Sequence, residues 1–191
     1  MSVLSALIAV LLAYLLGSLV FGVIFSRLRG RDIRDADAPG GSGVYRQYGA
    51  LAAVTVTLFD LLKGAAAVLL ALALEPASVP WAVAAVVAGH NYPLFFRFEG
   101  GAGIAPLMGA LLVAAPLPLL VAVAVGLLAI VPYRRLWQAT LKLNAIPFAA
   151  AVAVLVAFAL SLKWGGTAPL LAGAGVMALR SLQLLRRGGV A

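Results

Sequence analysis

The sequence predicts an all-α integral membrane protein: a bundle of seven transmembrane helices, N-terminus outside and C-terminus cytoplasmic. Three observations carry that prediction. Apolar residues make up 64% of the chain and charged residues only 10%; the apolar residues fall in long unbroken runs; and the basic residues gather on alternate loops. A soluble domain carries about a quarter charged residues, and a soluble fold of 191 residues leaves too much surface to hide this much apolar side chain from water. With mean hydropathy at +1.12, lipid is the solvent for most of the chain. Backbone polar groups in hydrocarbon must pair internally, which leaves helices or closed barrels. Barrel strands alternate apolar with polar residues, and these runs do not.

A span needs about 20 apolar residues. The runs predict spans at Val3–Phe25, Ala50–Leu74, Trp81–Phe96, Ile104–Ala115, Leu117–Val131, Asn144–Leu162 and Thr167–Leu184. The stretch Ile104–Val131 is too long for one helix, and Pro116 and Pro118 near its middle fit a tight turn. The first run is too long for the apolar part of a signal peptide and has no basic lead. With seven spans, one set of loops holds Arg27, Arg29, Arg31, Arg34, Arg46, Arg97, Arg134, Arg135, Lys142, Arg180, Arg186 and Arg187, and the other only Lys163. Basic residues in short loops stay cytoplasmic, so this asymmetry orients the bundle in the plasma membrane. A six-span count is the alternative, and it would mix the two sets.

The chain reads as a single domain, residues 1–191, without linker or repeat. The absence of cysteine removes disulfides and thiolate metal sites. One histidine and scattered acids show no metal-ligand spacing, so no metal is expected. The net charge of +8 lies along a membrane face, where it sets topology and meets lipid headgroups. No soluble basic domain is present to hold a nucleic acid.

Four features break the apolar pattern. The loop Arg31–Gly49 contains Asp32, Asp35 and Asp37, then Pro39-Gly40-Gly41-Ser42-Gly43 and Arg46. Glycine-dense backbone can curl its N–H groups into an anion nest, and arginine's planar fork suits phosphate; the plain alternative is a flexible loop. Asp60 and Lys63 share a face of the second span. Buried charges cost ~3 kcal/mol each on insertion scales and usually face a bundle interior or cavity; they serve either a site or a structural ion pair. His90, the single histidine, and Asn91 lie in GHNYPLFFRFEGGAG, whose Gly100, Gly101 and Gly103 precede another helix. A helix N-terminus attracts anions, although a lone histidine can equally be a satisfied hydrogen-bonding residue. Finally, Pro132–Asn144 reads as an amphipathic segment on the cytoplasmic surface, with Tyr133 and Trp137 in the interfacial belt. Three of the four features converge on one face, suiting an anionic substrate with an apolar tail.

In this order and spacing, LLAYLLGSLVFGVIFSRLRGRDIR, DLLKG and GHNYPLFFRFEGGAG resemble the bacterial acyl-phosphate-dependent glycerol-3-phosphate acyltransferases of the PlsY type over nearly the whole chain. The resemblance implies a seven-span enzyme, N-terminus out, that moves a fatty acyl group from acyl phosphate to glycerol 3-phosphate. Its product is lysophosphatidic acid, the entry to phospholipid synthesis, and it implies no cofactor and no metal. By the same resemblance His90 is the candidate catalytic residue, positioning the acceptor hydroxyl. Gly40, Gly41, Ser42, Gly43, Arg46, Lys63, Gly100, Gly101 and Gly103 are the candidate phosphate-binding residues, supported by Asp60 and Asn91. The chain departs from the family pattern at Ala38, Ser42 and Gly43 in the first loop. Ala102 stands in place of a lysine, Pro106 in place of a small polar residue, and Arg134–Trp137 in place of serines; the C-terminal motif is reduced to Ala178–Ser181. These departures keep two other readings open: a paralogue without acyltransferase activity that binds lipid phosphates or partners another membrane enzyme, and a small transporter gated by Asp60 and Lys63.

Overall fold

The structure is a computed structural model that describes residues 2–141 and 145–186. Lys142, Asn144 and Arg187, expected at the cytoplasmic face, lie outside the described residues. Among the described residues every regular element is helical.

The first apolar run divides into α1 (Val3–Gly17) and α2 (Phe21–Arg27), bent by 41° at Ser18–Val20. No proline breaks it. The break is stabilised from outside, because the Lys63 ammonium donates to the carbonyls of Gly17 and Leu19 at 3.0 and 2.7 Å. A short 3₁₀ turn at Ile33–Asp35 and α3 (Gly41–Tyr48) follow, and then α4 (Ala50–Leu74). At about 1.5 Å per residue, the 25 residues of α4 exceed the hydrocarbon thickness.

The third span is shorter than its hydropathy suggests. α5 covers Val79–Asn91, and the chain then turns through a 3₁₀ segment, Leu94–Phe96, because Pro93 cannot continue the helix. α6 (Ile104–Ala114) and α7 (Pro116–Leu136) are separate helices broken at Ala115, as the paired prolines predict. α7 runs through Pro132 to Leu136 and is followed by the short α8 (Gln138–Leu141). Pro132–Leu136 therefore continues α7 as its last turn instead of forming a separate segment with α8. α9 (Ala145–Trp164) and α10 (Thr167–Arg186) complete the chain. By length and composition α4 and α7 can each cross a membrane alone, and α1 with α2 can make a third span.

Small residues let the helices approach backbone to backbone, the usual basis of helix association in lipid. Gly17 of α1 and Gly89 of α5 face each other's helix so closely that a Cβ on either would strike a carbonyl oxygen, that of Val86 or of Tyr14. Gly64 of α4 and Gly109 of α6 meet the Pro106 and Leu61 carbonyls in the same way. Around these crossings Ala13, Val68, Val83, Val86 and Ala110 are fully buried. A second buried cluster, including Val20, Val23, Ile33, Val44 and Val56, seats the first loop on α2 and α4.

Candidate active site

α4 is the spine of the site. Asp60 and Lys63 sit one turn apart on its buried face, paired at 2.7 Å with side chains 2% and 3% exposed. Besides the two α1–α2 carbonyls, the Lys63 ammonium meets His90 Nδ1 at 2.9 Å. An ammonium can only donate, so Nδ1 accepts and the imidazole carries its proton on Nε2. Asp60 lies 3.6 Å from the same Nδ1. The expected ion pair is thus present, and it also acts on the imidazole, since Lys63 holds His90 in one tautomer. The Lys63 ammonium meets the Gly17 and Leu19 carbonyls, His90 Nδ1 and Asp60, so a phosphate bound there has to displace one of these partners. Neither charged side chain lines an open path of the kind a transporter gate needs, since both are buried.

His90 and Asn91 form the last turn of α5, and their carbonyls catch the following loop: Gly101 N–H donates to His90 O and Gly100 N–H to Asn91 O. The Gly101 Cα faces the imidazole, where a Cβ would collide with Nε2. Gly103 caps α6 with φ +82, a left-handed conformation that favours glycine. A Cβ there would also press on Asn91 Oδ1 at 2.6 Å. Asn91 is fully buried, and its amide has no hydrogen-bond partner among the described residues. Unpaired buried amides are rare because each costs about 1–3 kcal/mol. Asn91, the N–H groups opening α6 and the Nε2–H of His90 are therefore grouped donors. Pro106, in the first turn of α6, contributes none.

The glycine-rich first loop differs from its sequence expectation. Gly40 is the N-cap of α3, and Gly41, Ser42 and Gly43 form its first turn, so the anion nest is replaced by a helix start. Its glycines serve close packing: a Cβ on Gly41 would meet Thr57 of α4, and one on Gly43 the Ala38 carbonyl and Asp37. Ser42 is exposed. Because Thr57 abuts the start of α3 and Gly64 abuts the first turn of α6, the two helix N-termini lie about 10 Å apart along α4. Asp60 and Lys63 fall between them. Arg46 makes a two-pronged bond to Asp37, at 2.8 Å from Nε and 2.5 Å from Nη2. That bond holds the Asp37 carboxyl down at about 2. Arg46 is half exposed, and binding a phosphate there requires it to exchange Asp37 for the ligand.

Two organising residues escaped the sequence reading. Arg34 grips both oxygens of Asp32 and donates through Nη1 to the carbonyls of Phe96 and Glu99 at 2.8 and 3.0 Å. Its fork, helped by Arg27, keeps the Asp32 carboxyl well below the usual carboxylate range. Arg34 therefore fastens the first loop to the His90–Gly103 segment, bringing both to one end of the bundle. Arg180, expected in a loop, lies inside α10 at 7% exposure and donates to the Gly100 carbonyl at 3.0 Å. Both were missed for one reason: their partners are backbone carbonyls remote in sequence, which no residue pattern announces. Among the described residues no group of three or more histidines or acids is placed to hold a metal ion.

A bundle of long apolar helices with buried charge and two helix N-termini at one end defines the class of an integral membrane protein. Known proteins narrow that class. Residues 7–186 match the glycerol-3-phosphate acyltransferase family. The chain is 54% identical over 188 residues to "Glycerol-3-phosphate acyltransferase 2" of Deinococcus radiodurans, covering 96% of each protein. It is 39% identical over 157 residues to a glycerol-3-phosphate acyltransferase of Syntrophotalea carbinolica, covering 79% of this chain and 78% of the relative. Its fold is similar to that of a crystal structure of PlsY (YgiH), an integral membrane glycerol 3-phosphate acyltransferase, in its glycerol 3-phosphate form. The TM-score is 0.77 at 29% identity, over 96% of this chain and 90% of that one. The lysophosphatidic acid form of PlsY is similar at a TM-score of 0.74 and 28% identity, over 96% and 93%. The chain belongs to the glycerol-3-phosphate acyltransferase family.

Proposed function

We propose that this membrane acyltransferase takes its acyl group from acyl phosphate and transfers it to glycerol 3-phosphate at the cytoplasmic face, making lysophosphatidic acid for phospholipid synthesis. The observation that carries the reading is the Asp60–Lys63–His90 cluster, set between two helix N-termini on a fold similar to PlsY.

Acyl phosphate is a mixed anhydride and arrives activated, so the protein's work is alignment and charge stabilisation. The acceptor oxygen bonds to the acyl carbon as the anhydride C–O bond breaks. Phosphate departs with that electron pair and receives the acceptor's proton. No strong protein base is required, which fits an imidazole whose Nδ1 is occupied by Lys63. In this scheme His90 offers Nε2–H to a phosphate or developing oxyanion, and Asp60 and Lys63 fix its orientation. The openings of α3 (Gly40–Gly43) and α6 (Gly100, Gly101, Gly103) receive the phosphoryl groups. Asn91 supplies a further amide, and Arg46 exchanges Asp37 for substrate.

We place the N-terminus outside and the C-terminus inside, with seven crossings. The support is the charge asymmetry and the position of Arg27 and Arg34 against Phe96, in the His90–Gly103 segment that itself carries Arg97. The deciding experiment uses purified protein in detergent with acyl phosphate and glycerol 3-phosphate. Equimolar release of lysophosphatidic acid and phosphate is expected. Release of phosphate alone, or no turnover where PlsY is active, contradicts the reading.

A further inference from the structure

Among the described residues Arg180 is a charge without a counter-charge. It projects from α10, is 7% exposed, and spends one bond on a neutral acceptor, the Gly100 carbonyl at 3.0 Å. Its Nε has no hydrogen-bond partner among the described residues. The face of the guanidinium rests 5.2 Å from the Tyr92 ring centroid, and Tyr92 in turn donates to Gln183 at 2.6 Å, one turn further along α10. Three acids near the site are engaged elsewhere: Asp32 with Arg34, Asp37 with Arg46 and Asp60 with Lys63. Among the described residues no ion pair includes Arg180, whereas Lys63, also buried and cationic, has one.

A buried guanidinium left unpaired is among the most costly arrangements in a protein interior. Its fork also prefers a bidentate anion to a lone carbonyl. Its position is specific. The Gly100 carbonyl it holds belongs to the turn that lies over His90 and leads into α6, and the Gly100 and Gly101 N–H groups are tied to the carbonyls of Asn91 and His90. An anion meeting the remaining N–H groups of Arg180 would thus lie beside the donors already grouped there.

We propose that Arg180 is a substrate-binding residue whose free guanidinium N–H groups receive a phosphoryl group of one of the two substrates, either the acyl phosphate or the glycerol 3-phosphate. The inference rests on the acyltransferase reading for the identity of the ligand but not for its charge. Binding neutralises the guanidinium, and its bond to Gly100 couples that event to the turn over His90.

The test compares the full-length wild type with R180Q, and with R180K should the glutamine variant not fold. The apparent KM for each substrate, kcat, and inhibition by inorganic phosphate are measured. A charge-assisted hydrogen bond contributes about 1.5–3 kcal/mol, so the KM of one substrate is expected to rise roughly tenfold or more. The substrate affected identifies the phosphoryl group bound. Inhibition by inorganic phosphate should weaken by a similar factor, and R180K should fall between wild type and R180Q. A fall in kcat with both KM values and phosphate inhibition unchanged means that Arg180 only supports the turn, and overturns the proposal. A separate arm needs no turnover. Inorganic phosphate should raise the thermal midpoint of the wild type and not that of R180Q; an equal rise in both also overturns the proposal. A wild type stabilised by phosphate yet inactive refutes the acyltransferase reading and leaves the Arg180 site standing.

Discussion

Replacing Lys63 with methionine keeps most of the side chain's volume and removes only its charge and donors. The structure specifies the damage. Asp60, 2% exposed, loses its ion-pair partner, the Gly17 and Leu19 carbonyls at the α1–α2 break lose their donor, and His90 Nδ1 is released. Breaking a buried pair by removing one partner costs about 3–5 kcal/mol, mostly for the charge left behind. For a chain of this size, each kcal/mol shifts the thermal midpoint by about 2–4 °C. K63M should therefore unfold roughly 6–20 °C below wild type in the same detergent. Adding D60N removes the stranded carboxylate, so D60N/K63M should be more stable than K63M alone although it carries one more substitution. The assay is a thermal scan of purified protein at one fixed rate, read by tryptophan fluorescence. A K63M midpoint within about 2 °C of wild type, or a double variant less stable than the single, would refute the buried hub.

Other perturbations separate site from scaffold. G101A forces a methyl group against Nε2 of the buried His90, so turnover should fall at least about tenfold and the thermal midpoint should fall with it. G103A forces alanine into φ +82 against Asn91, costing about 1–2 kcal/mol for the backbone alone, and should show as a lower midpoint as well as lost activity. R34A frees the Phe96 and Glu99 carbonyls and Asp32, so proteolysis between residues 94 and 103 should speed up before global unfolding does. The Asp37–Arg46 pair predicts a pH signature. The Asp37 carboxyl is held at about 2, below its ordinary value, so its stabilising effect is complete above roughly pH 5 and is lost as pH falls from about 4 to 2. The stability gap between wild type and D37N should be flat from pH 5 to 7 and shrink below pH 4; a gap that widens on acidification contradicts the pairing.

How much was legible in the sequence depends on the kind of force involved. Hydropathy reports the solvent, so the helical class and the apolar runs were readable, as was the break between α6 and α7, which two prolines enforce. Asp60 and Lys63 could be paired because i, i+3 spacing on a helix fixes their neighbourhood. The α1–α2 break could not be seen. It lies at Ser18–Val20 inside an apolar run and is stabilised by an ammonium 44–46 residues away. Glycine density predicted a nest at Gly40–Gly43, yet those glycines admit Thr57 and the Ala38 carbonyl instead. Arg34 and Arg180 looked like ordinary topology-setting charges. What distinguishes them is the backbone carbonyls they hold, 62–65 and 80 residues away, and a carbonyl has no residue type.

Lys63 holds His90 with Nδ1 as acceptor and Nε2–H facing the Gly101 turn. The chain contains a single histidine, so ¹⁵N-histidine labelling of untagged protein in detergent yields one imidazole and no assignment problem. A protonated Nε2 and an unprotonated, hydrogen-bonded Nδ1 are expected at neutral pH, with the Nδ1 signal moving in K63M. A proton on Nδ1 in the wild type, or a spectrum unchanged by K63M, would contradict this arrangement.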